Sequence, residues 1–164
     1  MKTSALYLRT IVFGVNDSLV STVGFLAGIS VAGVPRATIV LTGIIYALVE
    51  AFSMAMGDFL SEESAEEYLS RSNVNDRPSI TAAVLMFASC VLAALIPLAP
   101  YILFAGGTAL VVSVCVSVLS LFVTGMMSAR FSRLPVLWRG VRMALLGGAA
   151  IVMGVAIGLF MPEF

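Results

Sequence analysis

Long apolar runs dominate this chain, and they break only where proline, asparagine or charged residues gather. A membrane-spanning helix needs about 20 mostly apolar residues. Five runs reach that length: 6–33, 37–60, 80–98, 101–127 and 136–160. Pro35 closes the first run. The second begins at Arg36 and Ala37 and is apolar to Leu60, and its helix is expected to continue as an acidic extension over 61–72. The string Asn73-Val74-Asn75-Asp76-Arg77-Pro78 breaks that helix, and Pro78 suits the first turn of the next one. Pro97 and Pro100 are expected to end the third run and leave a very short turn. A basic linker over 129–135 separates the fourth run from the fifth.

Composition turns these runs into membrane spans. Of 164 residues, 60% are apolar, above the 45–50% or so usual for soluble domains, and the mean hydropathy is +1.09. Five buried helices of this kind would need a much larger soluble protein around them. The predicted fold is an all-α integral membrane protein, with a single five-helix transmembrane domain over residues 1–164.

The net charge of zero hides an asymmetry. Lys2, Arg9, Arg71, Arg77, Arg130, Arg133, Arg139 and Arg142 fall on one side of the predicted membrane, and only Arg36 on the other. Positive residues concentrate in cytoplasmic loops. The amino terminus is therefore expected in the cytoplasm, and an odd number of spans puts the carboxyl terminus outside or in a lumen.

Within the spans, small residues recur at helical spacing. Gly14, Asp17, Ser21, Gly24 and Gly28 form one seam; Gly43, Ala47, Glu50, Met54, Gly57 and Ser61 form another. Small residues let membrane helices approach closely, so the first seam is expected to face another helix. A third seam, Ala144, Gly147, Ile151, Gly154 and Gly158, carries no ionisable group and reads as packing.

Carboxylates interrupt the first two seams. An acid at bilayer depth is expensive to keep charged and marks a functional site by default. No Lys or Arg lies deep enough in a span to neutralise Asp17 or Glu50. The missing counter-ion is then a proton or a bound metal cation. Glu50, Met54 and Asp58 share one helical face over roughly 12 Å of rise, and Asp17 and Met54 each lie about 9 Å inside the same edge, so the two could share one site. The thioether of Met54 is read evenly as ligand or packing residue. Asp58 is equally a mouth ligand or a solvated helix-end residue. Glu62, Glu63, Glu66 and Glu67 form a solvated face that also attracts cations to the mouth.

Several chemistries are excluded or disfavoured. There is no histidine, so imidazole ligation and histidine proton relays are out. Cys90 and Cys115 sit singly within apolar runs and read as packing residues. No nucleotide-binding loop, catalytic triad or paired-cysteine motif is present, so neither an enzyme nor an ATP-driven pump is expected, and no nucleic-acid partner. Carboxylate oxygens suit Mn²⁺ and Fe²⁺, and a thioether tilts the set away from Mg²⁺ and Ca²⁺. Conduction needs such binding to be weak enough to release.

The strings Asn16-Asp17-Ser18-Leu19-Val20-Ser21-Thr22 and Glu50-Ala51-Phe52-Ser53-Met54-Ala55-Met56-Gly57-Asp58-Phe59-Leu60-Ser61 resemble the first two spans of the vacuolar iron transporter family. The five spans and the glycine-rich last one are similar too, so the resemblance covers nearly the whole chain. It implies a homodimer of five-helix subunits with an ion path along the two-fold axis, exporting Fe²⁺ or Mn²⁺ in exchange for protons. By motif, Asp17, Glu50 and Met54 match the family's in-membrane metal and proton residues. Asp58 matches the acid at the mouth, and Glu67 a carboxylate that follows. Three departures stand out. Ser18 replaces a usual glycine, Val155 replaces a common tyrosine, and the cytoplasmic metal-binding domain between spans two and three of eukaryotic members is missing.

The expected function is therefore divalent transition-metal export by proton antiport, with metal, protons and lipid as partners and no permanently bound cofactor. Two alternatives remain open: an uncoupled divalent-cation channel, and a non-transporting membrane assembly or sensor subunit in which the acids only pin helices. A compact chain without a recognisable signal peptide is expected in a prokaryotic plasma membrane.

Overall fold

The computed structural model describes residues 2–70, 77–132 and 136–160. They form five helices: α1 (Lys2–Val31), α2 (Arg36–Ser70), α3 (Arg77–Leu103), α4 (Gly107–Ser132) and α5 (Val136–Phe160). Each holds a stretch of 24 to 33 residues that is long and apolar enough to cross a membrane. Arg71, Arg133 and the string 73–76 lie outside the described residues, as do the side chains of Lys2 and Arg77.

Helix ends follow local chemistry. α1 ends before Pro35 because Gly33 takes a left-handed conformation at φ 80°. The Gly33 N–H then donates to Ser30 O at 3.3 Å and the Val34 N–H to Ile29 O at 3.3 Å, a Schellman closure that satisfies the last carbonyls. Pro78 occupies the first turn of α3, as its missing N–H favours. α2 runs unbroken through the acidic residues to Ser70.

The expected stop at Pro97 and Pro100 is corrected. Both prolines lie inside α3, which continues to Leu103, and α4 starts at Gly107, not near Tyr101. Each proline lacks the N–H that would reach the carbonyl four residues back, on Ala93 and Ile96, a loss that membrane helices tolerate, and neighbouring helices tie down later carbonyls of the same segment. The Ser113 hydroxyl of α4 donates to Pro97 O at 2.7 Å. Arg36, at the start of α2, donates Nε–H to Tyr101 O at 2.7 Å and its Nη2 to Ile102 O. A guanidinium over the last carbonyls of α3 also meets the negative end of that helix dipole. Tyr101 is thus a core residue, 2% exposed, with its hydroxyl on Leu26 O at 3.4 Å.

The packing is that of a membrane bundle. Small side chains fill much of the inside, among them Ala51, Ala82, Ala94, Ser18, Ser117 and Thr22. Large apolar side chains such as Leu41, Val49, Phe52, Leu92 and Leu103 point outward. Water would disfavour that surface, but lipid does not. α1 touches all four other helices, most extensively α3 and α5 and least α2.

The α1 seam does face other helices, and its partners are α3 and α5. A side chain at Gly14 would collide with Ser89, Met86 and Cys90 of α3, and one at Gly28 with the Gly154 backbone. Gly154 and Gly158 of α5 lie directly on the backbones of Gly24 and Gly28, so the α5 seam is packing, as expected. Cys90 is buried on α3, whereas Cys115 is exposed on α4 and does not pack inside the chain.

Candidate metal site

The register of α1 against α2 fixes which carboxylates are level. Arg9 lies 3.8 Å from Glu62, Thr10 donates to Asp58 Oδ2 at 3.2 Å, and Phe25 stacks on Tyr46 with ring centroids 4.6 Å apart. This antiparallel register sets Asp17 level with Met54, as equal depth from the membrane edge predicts. Glu50 sits about one turn further along α2.

Around Glu50 the polar atoms are few. The Tyr46 hydroxyl donates to Glu50 Oε1 at 3.1 Å. Oε2 is buried and has no hydrogen-bond partner among the described residues. Two hydroxyls of α1, Ser18 and Ser21, face this carboxylate, yet each is already engaged. Ser18 donates to Cys90 O at 2.9 Å and Ser21 to Asp17 O at 2.8 Å. A serine has one proton to give, so neither satisfies Oε2. Burying an ionised oxygen without a partner costs several kcal/mol or more. An ionised Glu50 would therefore leave one buried oxygen without a partner.

Asp17 is half-buried and lies within Coulombic reach of Glu50. It lines an open groove of about 610 Å³ with Arg9 and Asn16 of α1, Ser128 of α4 and Met143 of α5. The Thr124 hydroxyl lies 2.9 Å from Asn16 Oδ1 and equally close to Ser120 O of its own helix. Glu50 lines a second groove, of about 550 Å³, with Phe25, Tyr46 and Ser53. The two acids thus interact electrostatically while opening onto different grooves.

The other predicted residues are more dispersed. Met54 packs against the cluster of Ala51, Ala55, Met86 and Cys90. Asp58 is half-buried at the end of the bundle, held by the buried Thr10. Glu67 is exposed on α2, roughly 25 Å of helix beyond Glu50, and the chain does not bring it to the in-membrane acids. Among the described residues, no three Asp, Glu, Cys or His side chains surround a common point. Two hydrogen-bonding neighbours of these acids, Tyr46 and Thr10, are absent from the sequence reading. Tyr46 stands four residues before Glu50 on the same helical face, a spacing that could have revealed it. Thr10 carries no such signal.

A model of the VIT family matches residues 8–79 and 70–159. The chain belongs to the VIT family, the vacuolar iron transporters. The match divides at 70–79, where only a short segment joins α2 to α3, in keeping with a short member that lacks an inserted domain there. VIT proteins are membrane transporters of metal ions, not enzymes. No curated protein matches the chain. Ser18 is buried and bonded to the α3 backbone, so its side chain fits the helix approach instead of blocking it.

Proposed function

We propose that the chain carries Fe²⁺ or Mn²⁺ out of the cytoplasm in exchange for protons, with Asp17 and Glu50 taking either ion in turn. The observation that carries this reading is the buried, unsatisfied Oε2 of Glu50 beside Asp17, in a spanning helix of a VIT protein. A proton neutralises such an oxygen, and so does a divalent cation. Competition between the two for the same carboxylates is then the coupling device.

The path runs between two copies of the chain. One copy offers two in-membrane carboxylates, whereas Mn²⁺ and Fe²⁺ favour five or six hard ligands. A two-fold axis doubles the set. Met54, level with Asp17, supplies the softer donor that disfavours Mg²⁺ and Ca²⁺. Asp58 and the acidic face from Glu62 to Glu67 gather cations at the mouth. Arg9, Arg130, Arg139 and Arg142 mark that end as cytoplasmic, opposite Arg36, and the membrane is a prokaryotic plasma membrane.

The test is Fe²⁺ and Mn²⁺ flux into liposomes holding the purified protein and an internal pH dye, with Asp17→Asn alongside. Metal entry matched by proton exit, and lost in the variant, is the expected result. Metal entry without proton movement would instead identify an uncoupled channel. No flux of either ion would leave the carboxylates as helix-pinning groups.

A further inference from the structure

Glu50 is held by a neighbour that is itself held. Tyr46 lies one turn before it on α2 and gives its hydroxyl proton to Oε1 at 3.1 Å. The tyrosine ring is clamped in turn: it stacks on Phe25 of α1 at a centroid distance of 4.6 Å and 14° between planes. α1 and α2 share fewer contacts than any other packed helix pair, so this ring pair is one of few ties between the two helices that carry the acids. A glutamate has three rotatable side-chain bonds. Fixing one of its oxygens through a fixed ring removes most of that freedom and determines where the other oxygen points. That other oxygen, Oε2, is the one left without a partner.

We infer that Tyr46 is the positioning residue of the cation site: it holds Oε1 of Glu50 so that Oε2 is presented to the transported metal, and Phe25 holds Tyr46 in place. This rests on Glu50 being a cation ligand, as proposed above. A phenol suits the task because it can donate to an ionised carboxylate and accept from a protonated one, so it keeps the side chain oriented whichever ion Glu50 carries. The groups facing Glu50 are Asp17, Ser18 and Ser21 from α1, Tyr46 from its own helix and Cys90 from α3. The Ser18 and Ser21 hydroxyls sit on backbone carbonyls at 2.9 and 2.8 Å, and among the described residues Tyr46 makes the direct hydrogen bond to the carboxylate.

The test uses the full chain in liposomes and measures initial Mn²⁺ uptake against Mn²⁺ concentration. Tyr46→Phe keeps the ring and its stack but removes the donor. It is expected to raise the half-saturating Mn²⁺ about tenfold, the worth of a hydrogen bond to a charged group, and to leave the maximal rate unchanged. Phe25→Leu keeps the hydroxyl and loosens the clamp, so it should raise half-saturation by less, and it carries the same test should Tyr46→Phe not fold. Mn²⁺ binding to the purified variants, read by electron paramagnetic resonance of the free ion, should weaken in the same order. Wild-type saturation in Tyr46→Phe, with Glu50→Gln inactive, overturns this inference alone. A lower maximal rate at unchanged half-saturation also overturns it, being the mark of a distorted helix pair. Wild-type uptake by Glu50→Gln overturns this inference and the proposed site together.

Discussion

Gly154→Ala tests the backbone contact that positions α1. The two helices run parallel here, with Gly24 and Gly28 against Ala150, Gly154 and Gly158. A Cβ built at Gly154 would stand 2.0 Å from Gly24 O and 2.8 Å from its carbonyl carbon. The shorter of these falls about 1.4 Å inside the 3.4 Å at which ordinary contact begins. Overpacking by one methyl group usually costs about 1–3 kcal/mol. The obstacle here is backbone that cannot rotate aside, so the cost belongs at the upper end, about 3 kcal/mol, or roughly 150-fold in the folding equilibrium. The assay is reversible unfolding in mixed detergent micelles, with Gly148→Ala as the internal control. Nothing lies within 4 Å of a Cβ at Gly148, and alanine is the better helix former, so that variant should match wild type or exceed it. Equal stability of the two variants would refute the close contact. Gly24 lies two turns beyond Asp17 on α1, so a folded Gly154→Ala protein should also transport poorly.

Two other substitutions probe helix ends by the same unfolding assay. Arg36→Gln withdraws both hydrogen bonds to the Tyr101 and Ile102 carbonyls and should cost about 1–2 kcal/mol, with the loss confined to the junction of α2 and α3. Gly33→Ala forces a Cβ into the left-handed conformation at φ 80°. It should cost about 1 kcal/mol, and Gly33→Asn less, because asparagine tolerates that region.

The spans were legible because membrane helices announce themselves by length and hydropathy alone. Five were expected, and the described residues hold five helices of the required kind. The end of α3 was misread for a physical reason. A proline costs a membrane helix only one donor, a loss it tolerates, and the contacts that tie down the rest of this segment come from far away in sequence. Ser113 and Arg36 reach α3 only once the bundle has formed. Helix pairing was equally hidden. α1, α2 and α5 each carry a seam of small residues, and nothing in the spacing says that Gly24 and Gly28 meet α5 while Gly14 meets α3. The acids themselves stood out, since a carboxylate in an apolar run is conspicuous. What surrounds them was less visible: serine protons spent on carbonyls, and a tyrosine donating to one oxygen of Glu50 while the other stays bare.

If protons and metal compete for Asp17 and Glu50, an imposed pH gradient should drive Mn²⁺ movement. Liposomes are prepared acid inside, with the protein's cytoplasmic face outward and equal Mn²⁺ on both sides. Mn²⁺ is expected to accumulate inside against its own gradient while protons leave, and Asp17→Asn and Glu50→Gln should each abolish the accumulation. Mn²⁺ that stays level with the outside whatever the pH difference, or that accumulates as well in either variant, would contradict it.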